Sequence, residues 1–168
     1  TLIYDGTVKS LVLTGLPTGA TVTYTNNDQI DAGTYTVTAT IHGGANYEDA
    51  ALTAILTIEK AVVSGVTFDS QTVVYDGVVK SLVLTGLPTG ATVIYTNNDQ
   101  IDVGTYTVTA TIHGGNNYED TIQTAVLTIE KALISGLTYD NQTVTYDGTT
   151  KSLVLTGLPT GATVNYSN

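Results

Sequence analysis

Thr105-Tyr106-Thr107-Val108-Thr109-Ala110-Thr111-Ile112 alternates, without a break, between threonine and an aromatic or aliphatic side chain. Successive side chains of a strand point to opposite faces. An extended chain here gathers Tyr106, Val108, Ala110 and Ile112 on one face and the four threonines on the other. That is a strand with one buried and one wet side, and the β-branched threonines suit it. Thr34 to Ile41 repeats the same eight residues. No segment shows the 3.6-residue apolar period, with caps, that a helix requires.

Working outward, further strands are expected at Gly65–Phe68, Gln71–Tyr75, Lys80–Thr85, Ala91–Thr96 and Thr124–Ile129, the last with Ala125, Leu127 and Ile129 facing in. Asp76-Gly77 reads as a hairpin turn between two of them. Gly86-Leu87-Pro88-Thr89-Gly90 reads as a loop, because proline fixes φ and glycine permits positive φ. Short strands at this spacing predict an all-β fold of tandem immunoglobulin-like β-sandwich domains arranged end to end.

Tandem organisation follows from an internal repeat. Tyr4-Asp5-Gly6 returns at Tyr75 and at Tyr146, a step of 71 residues each time. Residues 1–60 and 72–131 agree at 50 of 60 positions. The expected division is 1–60, a unit lacking its first strand; 61–131, a complete unit; and 132–168, a truncated unit. Both ends of the chain fall inside a repeat, so the natural protein is expected to be longer on both sides. A unit of this size suggests a small domain rather than one coil of a solenoid. Thr23 becomes Ile94 between Val22/Val93 and Tyr24/Tyr95, as expected of an outward position.

Composition excludes several functions. The chain carries 15 acidic residues against five lysines, with no arginine and a net charge of -10. A nucleic-acid partner needs a basic stripe, and none can be assembled. An anionic membrane would repel the chain, and no apolar run is long enough to span a bilayer. There is no cysteine, hence no disulfide or thiolate site. Hydrophobic residues make up 42% and charged residues 12%, which argues for a packed core and against disorder.

The order YDGTVKSLVLTGLPTGATVTYTNN, DAGTYTVTATI, NYED and LTIEKA resembles the MBG domain and its YDG-type relatives. The resemblance covers essentially the whole chain. It implies tandem repeats of a bacterial, adhesin-like surface protein, an extracellular location and a spacer or adhesive role. It carries no catalytic site.

Asp31-Ala32-Gly33-Thr34-Tyr35 and Asp102-Val103-Gly104-Thr105-Tyr106 resemble a tyrosine corner, in which the Tyr hydroxyl bonds to backbone a few residues upstream. This gives Asp31, Gly33, Tyr35, Asp102, Gly104 and Tyr106 structural roles. Asp28, Asp31, Asp99 and Asp102, with Glu48, Asp49, Glu119 and Asp120, are the residues that could offer carboxylates to calcium. The alternative is that they are turn residues, and no cofactor is expected. His42 and His113 stand one to a unit, which is a poor metal site. Lys9, Lys80, Lys151, Lys60 or Lys131 could crosslink to Asn46 or Asn117 beside Glu48 or Glu119 if buried together, whereas a solvated lysine is the default. The threonine face suggests an ice-binding surface, against which the twist of sandwich sheets argues. Asn141-Gln142-Thr143 and Asn165-Tyr166-Ser167 fit a glycosylation sequon.

No nucleophile elbow, phosphate loop or dinucleotide fingerprint occurs, so an enzyme is not expected. Junctions such as Ile58-Glu59-Lys60-Ala61 lack the Gly/Ser runs of a flexible linker. The leading expectation is therefore an extracellular stalk or spacer at the cell surface, with neighbouring repeats as its partners. An eight-residue strand rises about 26 Å, so each unit would add roughly 30–40 Å. Two alternatives remain: repeats that bind a host glycan or protein, with loop residues Tyr47 and Tyr118 as candidates, or copies that pair strands into a filament.

Overall fold

The computed structural model describes residues 2–167. Eight strands form two four-stranded sheets, and there is no helix among the described residues. The first sheet holds β1 (Leu2–Ile3), β2 (Thr21–Thr25), β3 (Gly33–His42) and β4 (Ala50–Glu59) in the order β1-β4-β3-β2. The second holds β5 (Gln71–Val74), β6 (Thr92–Thr96), β7 (Gly104–His113) and β8 (Thr121–Glu130) in the order β5-β8-β7-β6. Each sheet belongs to one repeat, and equivalent strands lie 71 positions apart.

The alternation of 105–112 sets the centre of the second sheet. β7 runs antiparallel to both β6 and β8, with Tyr95 opposite Ala110 and Val108 opposite Ala125. Val108, Ala110 and Ile112 are fully buried, as are Leu127 and Ile129 on the neighbouring strand. The threonines between them face outward, in rows such as Thr96-Thr109-Thr124. Burying the apolar face is worth about 1.5–3 kcal/mol for each large side chain, which is the main reason the register is unique.

Two strand expectations and one turn expectation are corrected. Gly65–Phe68 and Lys80–Thr85 are not ladder strands; the one bridge between them joins Thr67 to Thr85, and Lys80 makes a second isolated bridge, to Gln100. Together they form an irregular layer over the sheet, with Val63, Leu82 and Leu84 buried. Side chains replace the missing ladder. The Asn98 side-chain amide accepts from Leu82 N at 2.9 Å and donates to Leu82 O at 2.9 Å, and the Tyr95 hydroxyl accepts from Leu84 N at 2.8 Å. The third correction concerns Asp76-Gly77, which is a turn but does not close a hairpin. β5 pairs in parallel with β8, so the turn carries the chain from the sheet to the covering layer.

Phe68 sits where the layers meet. It packs against the cluster of Leu82, Val108, Ala125, Leu127 and Ile129, and also against that of Val63, Leu84, Ala110 and Ile112. Its ring lies 5.9 Å from that of Tyr95. In the first unit the core is smaller: Val37, Leu56 and Ile58, flanked by Tyr4, Leu11, Tyr24 and Tyr35. Residues 132–167 form no named strand, and nearly all are exposed.

Candidate functional site

The most developed polar constellation lies where the first unit meets the second. β3 begins at Gly33, directly after the Asp31-Ala32 corner, and the β7–β8 loop of the next unit is laid against that corner. Asn117, in this loop, uses both ends of its side-chain amide. Its Nδ2 donates to Asp31 Oδ1 at 2.9 Å, and its Oδ1 accepts from Ala32 N at 2.8 Å. The same loop then bonds the connecting segment: Ala61 N donates to Asn117 O at 2.9 Å and Glu119 N to Ala61 O at 2.8 Å. Lys60 Nζ donates to Gly115 O at 2.7 Å. Beside these bonds, the rings of Tyr4 and Tyr118 meet edge to face, with centroids 5.4 Å apart and planes at 78°. Such a pair adds about 0.5–1.5 kcal/mol beyond the area it buries.

The repeat supplies its own control. Tyr118 is half-buried in the joint, whereas the equivalent Tyr47 is 55% exposed. Tyr4 is half-buried against Tyr118, whereas Tyr75 is exposed. The local sequences match, so the neighbour makes the difference. Tyr118 thus has its ring committed to the joint.

The corner residues lie as follows. Tyr35 and Tyr106 donate their hydroxyls to the carbonyls of Asp31 and Asp102, each at 2.9 Å. A Cβ on Gly104 would fall 2.9 Å from the Tyr106 ring, so a side chain there would displace the tyrosine. Asp28 and Asp99 have φ of 60° and accept from Ser10 and Ser81, away from the corner aspartates. The four acids proposed for calcium are therefore spread over separate turns. Among the described residues no three His, Cys, Asp or Glu side chains gather as a metal-holding group.

His42 Nδ1 lies 3.3 Å from Asp49 Oδ2, and His113 Nδ1 lies 3.2 Å from Asp120 Oδ2. Lys9 and Lys80 each reach the aspartate of their own Tyr-Asp-Gly turn, Asp5 and Asp76, at 2.6 Å. Lys151 does the same with Asp147. Lys60 and Asn117 serve the joint, and no polar or charged side chain is buried among the described residues.

These turn carboxylates are held below their usual range. The Gly43 N–H, followed by the His42 ring, lowers Asp49; the Gly114 N–H, followed by His113, lowers Asp120. Lys80, with the Val78 N–H, lowers Asp76, and Lys151 with Thr149 lowers Asp147 to about 2. A carboxylate depressed in the folded state leaves the unfolded state binding more protons, so stability rises with pH across that interval. The contribution is complete above the ordinary value of 3.8 and is lost as pH falls through the folded values. Urea midpoints are expected to be flat from neutral pH down to about 4.5 and to fall below it.

Sequence reasoning named Asp31 as a corner residue but missed the Asn117 contact, because the two lie 86 positions apart. The short junction at Glu59-Lys60-Ala61 was the only signal that neighbouring units touch. Among the described residues no helix is long and apolar enough to cross a membrane. No curated protein matches the chain. The model of the MBG domain matches it twice, over residues 1–62 and 64–133, and the chain belongs to that family.

Proposed function

We propose that the chain is part of an extracellular stalk or spacer, in which immunoglobulin-like sandwich units stacked end to end hold another domain of a bacterial, adhesin-like surface protein at a distance. The observation that carries this reading is the joint. Asn117, Tyr118 and Lys60 fasten the second unit to the first over a connection with no Gly/Ser slack. A chain serving only as a tether would need no such contacts. Domains of the MBG family, repeated in tandem here, are of the kind found in surface proteins. The acidic balance keeps neighbouring molecules apart. We take the chain to be non-catalytic, its work being to supply length and rigidity.

The test uses the absence of cysteine. Spin labels at Thr23→Cys and Ile94→Cys, on equivalent outward positions of the two units, are expected to give one narrow distance distribution. Adding Asn117→Ala with Tyr118→Ala should broaden it several-fold while both units stay folded. A broad distribution in the otherwise native chain would defeat the rigid-spacer reading.

A further inference from the structure

A sheet edge turns unpaired N–H and C=O groups to solvent, and proteins blunt such edges with charged side chains, proline, bulges or a covering segment. The second sheet has two edges, β5 and β6. β5 is bracketed by Asp69 and Asp76. β6 has no such device. Residues 81–98 contain no charged side chain, β6 contains no proline, and its register runs unbroken from Thr92 opposite His113 to Thr96 opposite Thr109. Among the described residues β7 is its only ladder partner. One nearby bond gives the direction of the backbone here. Asn97 Nδ2 donates to Thr107 O at 3.0 Å, so Thr107, and with it Thr109 and Thr111, turns its peptide groups toward β6. Thr96 and Ile94, opposite Thr109 and Thr111, turn theirs toward β7. Val93 and Tyr95 therefore present two N–H and two C=O groups at the open edge, with no backbone partner there among the described residues.

The side chain at the middle of this edge separates the two units. β2 and β6 differ at one position, Thr23 against Ile94. On β4 and β8, Ala51 gives way to Ile122. Ile94 and Ile122 flank Thr111 in one cross-strand row, and they are 59% and 61% exposed. Two substitutions between the units thus place large apolar side chains in the same outward row, one of them on the edge itself.

We propose that β6 pairs antiparallel with β6 of a second copy about a two-fold axis at Ile94, joining two chains side to side. The register is self-complementary. Val93 meets Tyr95 of the second copy and Tyr95 meets Val93, so all four open backbone groups on each strand find partners. Ile94 meets Ile94 in the closer, non-hydrogen-bonded kind of pair, and each covers the other. The outward row Ile122-Thr111-Ile94 continues into the same three residues in reverse order. The chain carries a net charge of -10, and an edge without charge is where a second copy can approach. β2 offers the same backbone with threonine at its centre, and gains less apolar contact. The contact is isologous and closes at two copies. A five-residue strand covers far less than the roughly 1,600 Å² of a stable interface, so the pairing is weak. Higher salt strengthens it by screening the repulsion between chains.

Sedimentation equilibrium of the full 168-residue chain is the test. The native chain should approach twice its monomer mass at millimolar concentration, and hydrogen exchange at the Val93 and Tyr95 amides should slow as it does so. Ile94→Thr, which copies the first unit, should weaken association about fivefold. Ile94→Lys and Ile94→Asp should each stay monomeric, because the axis sets two like charges against each other. Position 94 is exposed, so both variants keep their fold, and circular dichroism checks this. The decisive sample is an equimolar mixture of the two: lysine then faces aspartate, and dimer should return. Thr23→Lys should leave the association as it is in the native chain. A native chain that stays monomeric at millimolar concentration overturns the proposal. So does a dimer that survives Ile94→Lys, or a mixture of Ile94→Lys and Ile94→Asp that is no heavier than its components.

Discussion

Gly114→Ala is expected to lower the melting temperature of the second unit by about 15 °C, corresponding to roughly 3 kcal/mol in a domain of this size. The added Cβ would lie 2.2 Å from Tyr118 O, 2.5 Å from Tyr118 C and 2.6 Å from Glu119 O. All three are backbone atoms, so no side-chain rotation relieves the clash. The β7–β8 loop must open instead. It then gives up the bond from Gly114 N to Asp120 Oδ1 at 2.8 Å, and it carries Asn117 and Tyr118 away from the joint. Calorimetry should show one transition moving down while that of the first unit stays close to its native position. Gly43 has the same three distances to Tyr47 and Glu48, so Gly43→Ala should reproduce the loss in the first unit and provides a replicate within the molecule. A shift of under 2 °C at either site would mean that the loop has room the geometry denies.

Leu82→Ala should cost about 3–4 kcal/mol and Leu11→Ala about half as much. The two leucines occupy the same place in Ser-Leu-Val-Leu-Thr-Gly and bond to equivalent asparagines, Asn98 and Asn27. Leu82 is 1% exposed and packs within a cluster closed over by Phe68; Leu11 is half-buried beside the smaller core of Val37, Leu56 and Ile58. Truncating the first leaves a cavity that the surroundings cannot fill. Truncating the second removes a side chain already partly in water. Urea denaturation of each variant, resolved by unit, measures the difference. Equal costs would show that Phe68 and the segment that carries it contribute no real cover over Leu82.

The sequence discloses the sheet more readily than the layer opposite it. Alternation along 105–112 and 124–129 reports which residues face inward, and burial of Val108, Ala110, Leu127 and Ile129 follows that pattern. Alternation says nothing about the partner strand, so the parallel pairing of β5 with β8 was invisible and Asp76-Gly77 was read as a hairpin. Leu82 and Leu84 show the same in-and-out rhythm without belonging to a sheet, because Asn98 and Tyr95 supply from side chains the bonds a ladder would have made. The joint was the least legible. Asn46 and Asn117 are followed by the same Tyr-Glu-Asp, and only placement beside another unit gives Asn117 its partners.

The parallel pairing of β5 with β8 has a mechanical meaning. The chain enters the sheet at one end of this pair and departs from the other, with Gln71 opposite Leu127 and Val74 opposite Glu130. Tension applied to the two termini of a unit therefore drags the strands along each other in opposite directions. The hydrogen bonds between them are strained together, in shear, rather than peeled open one after another. A pulling force on the chain would thus meet its resistance in a handful of bonds that have to fail at once.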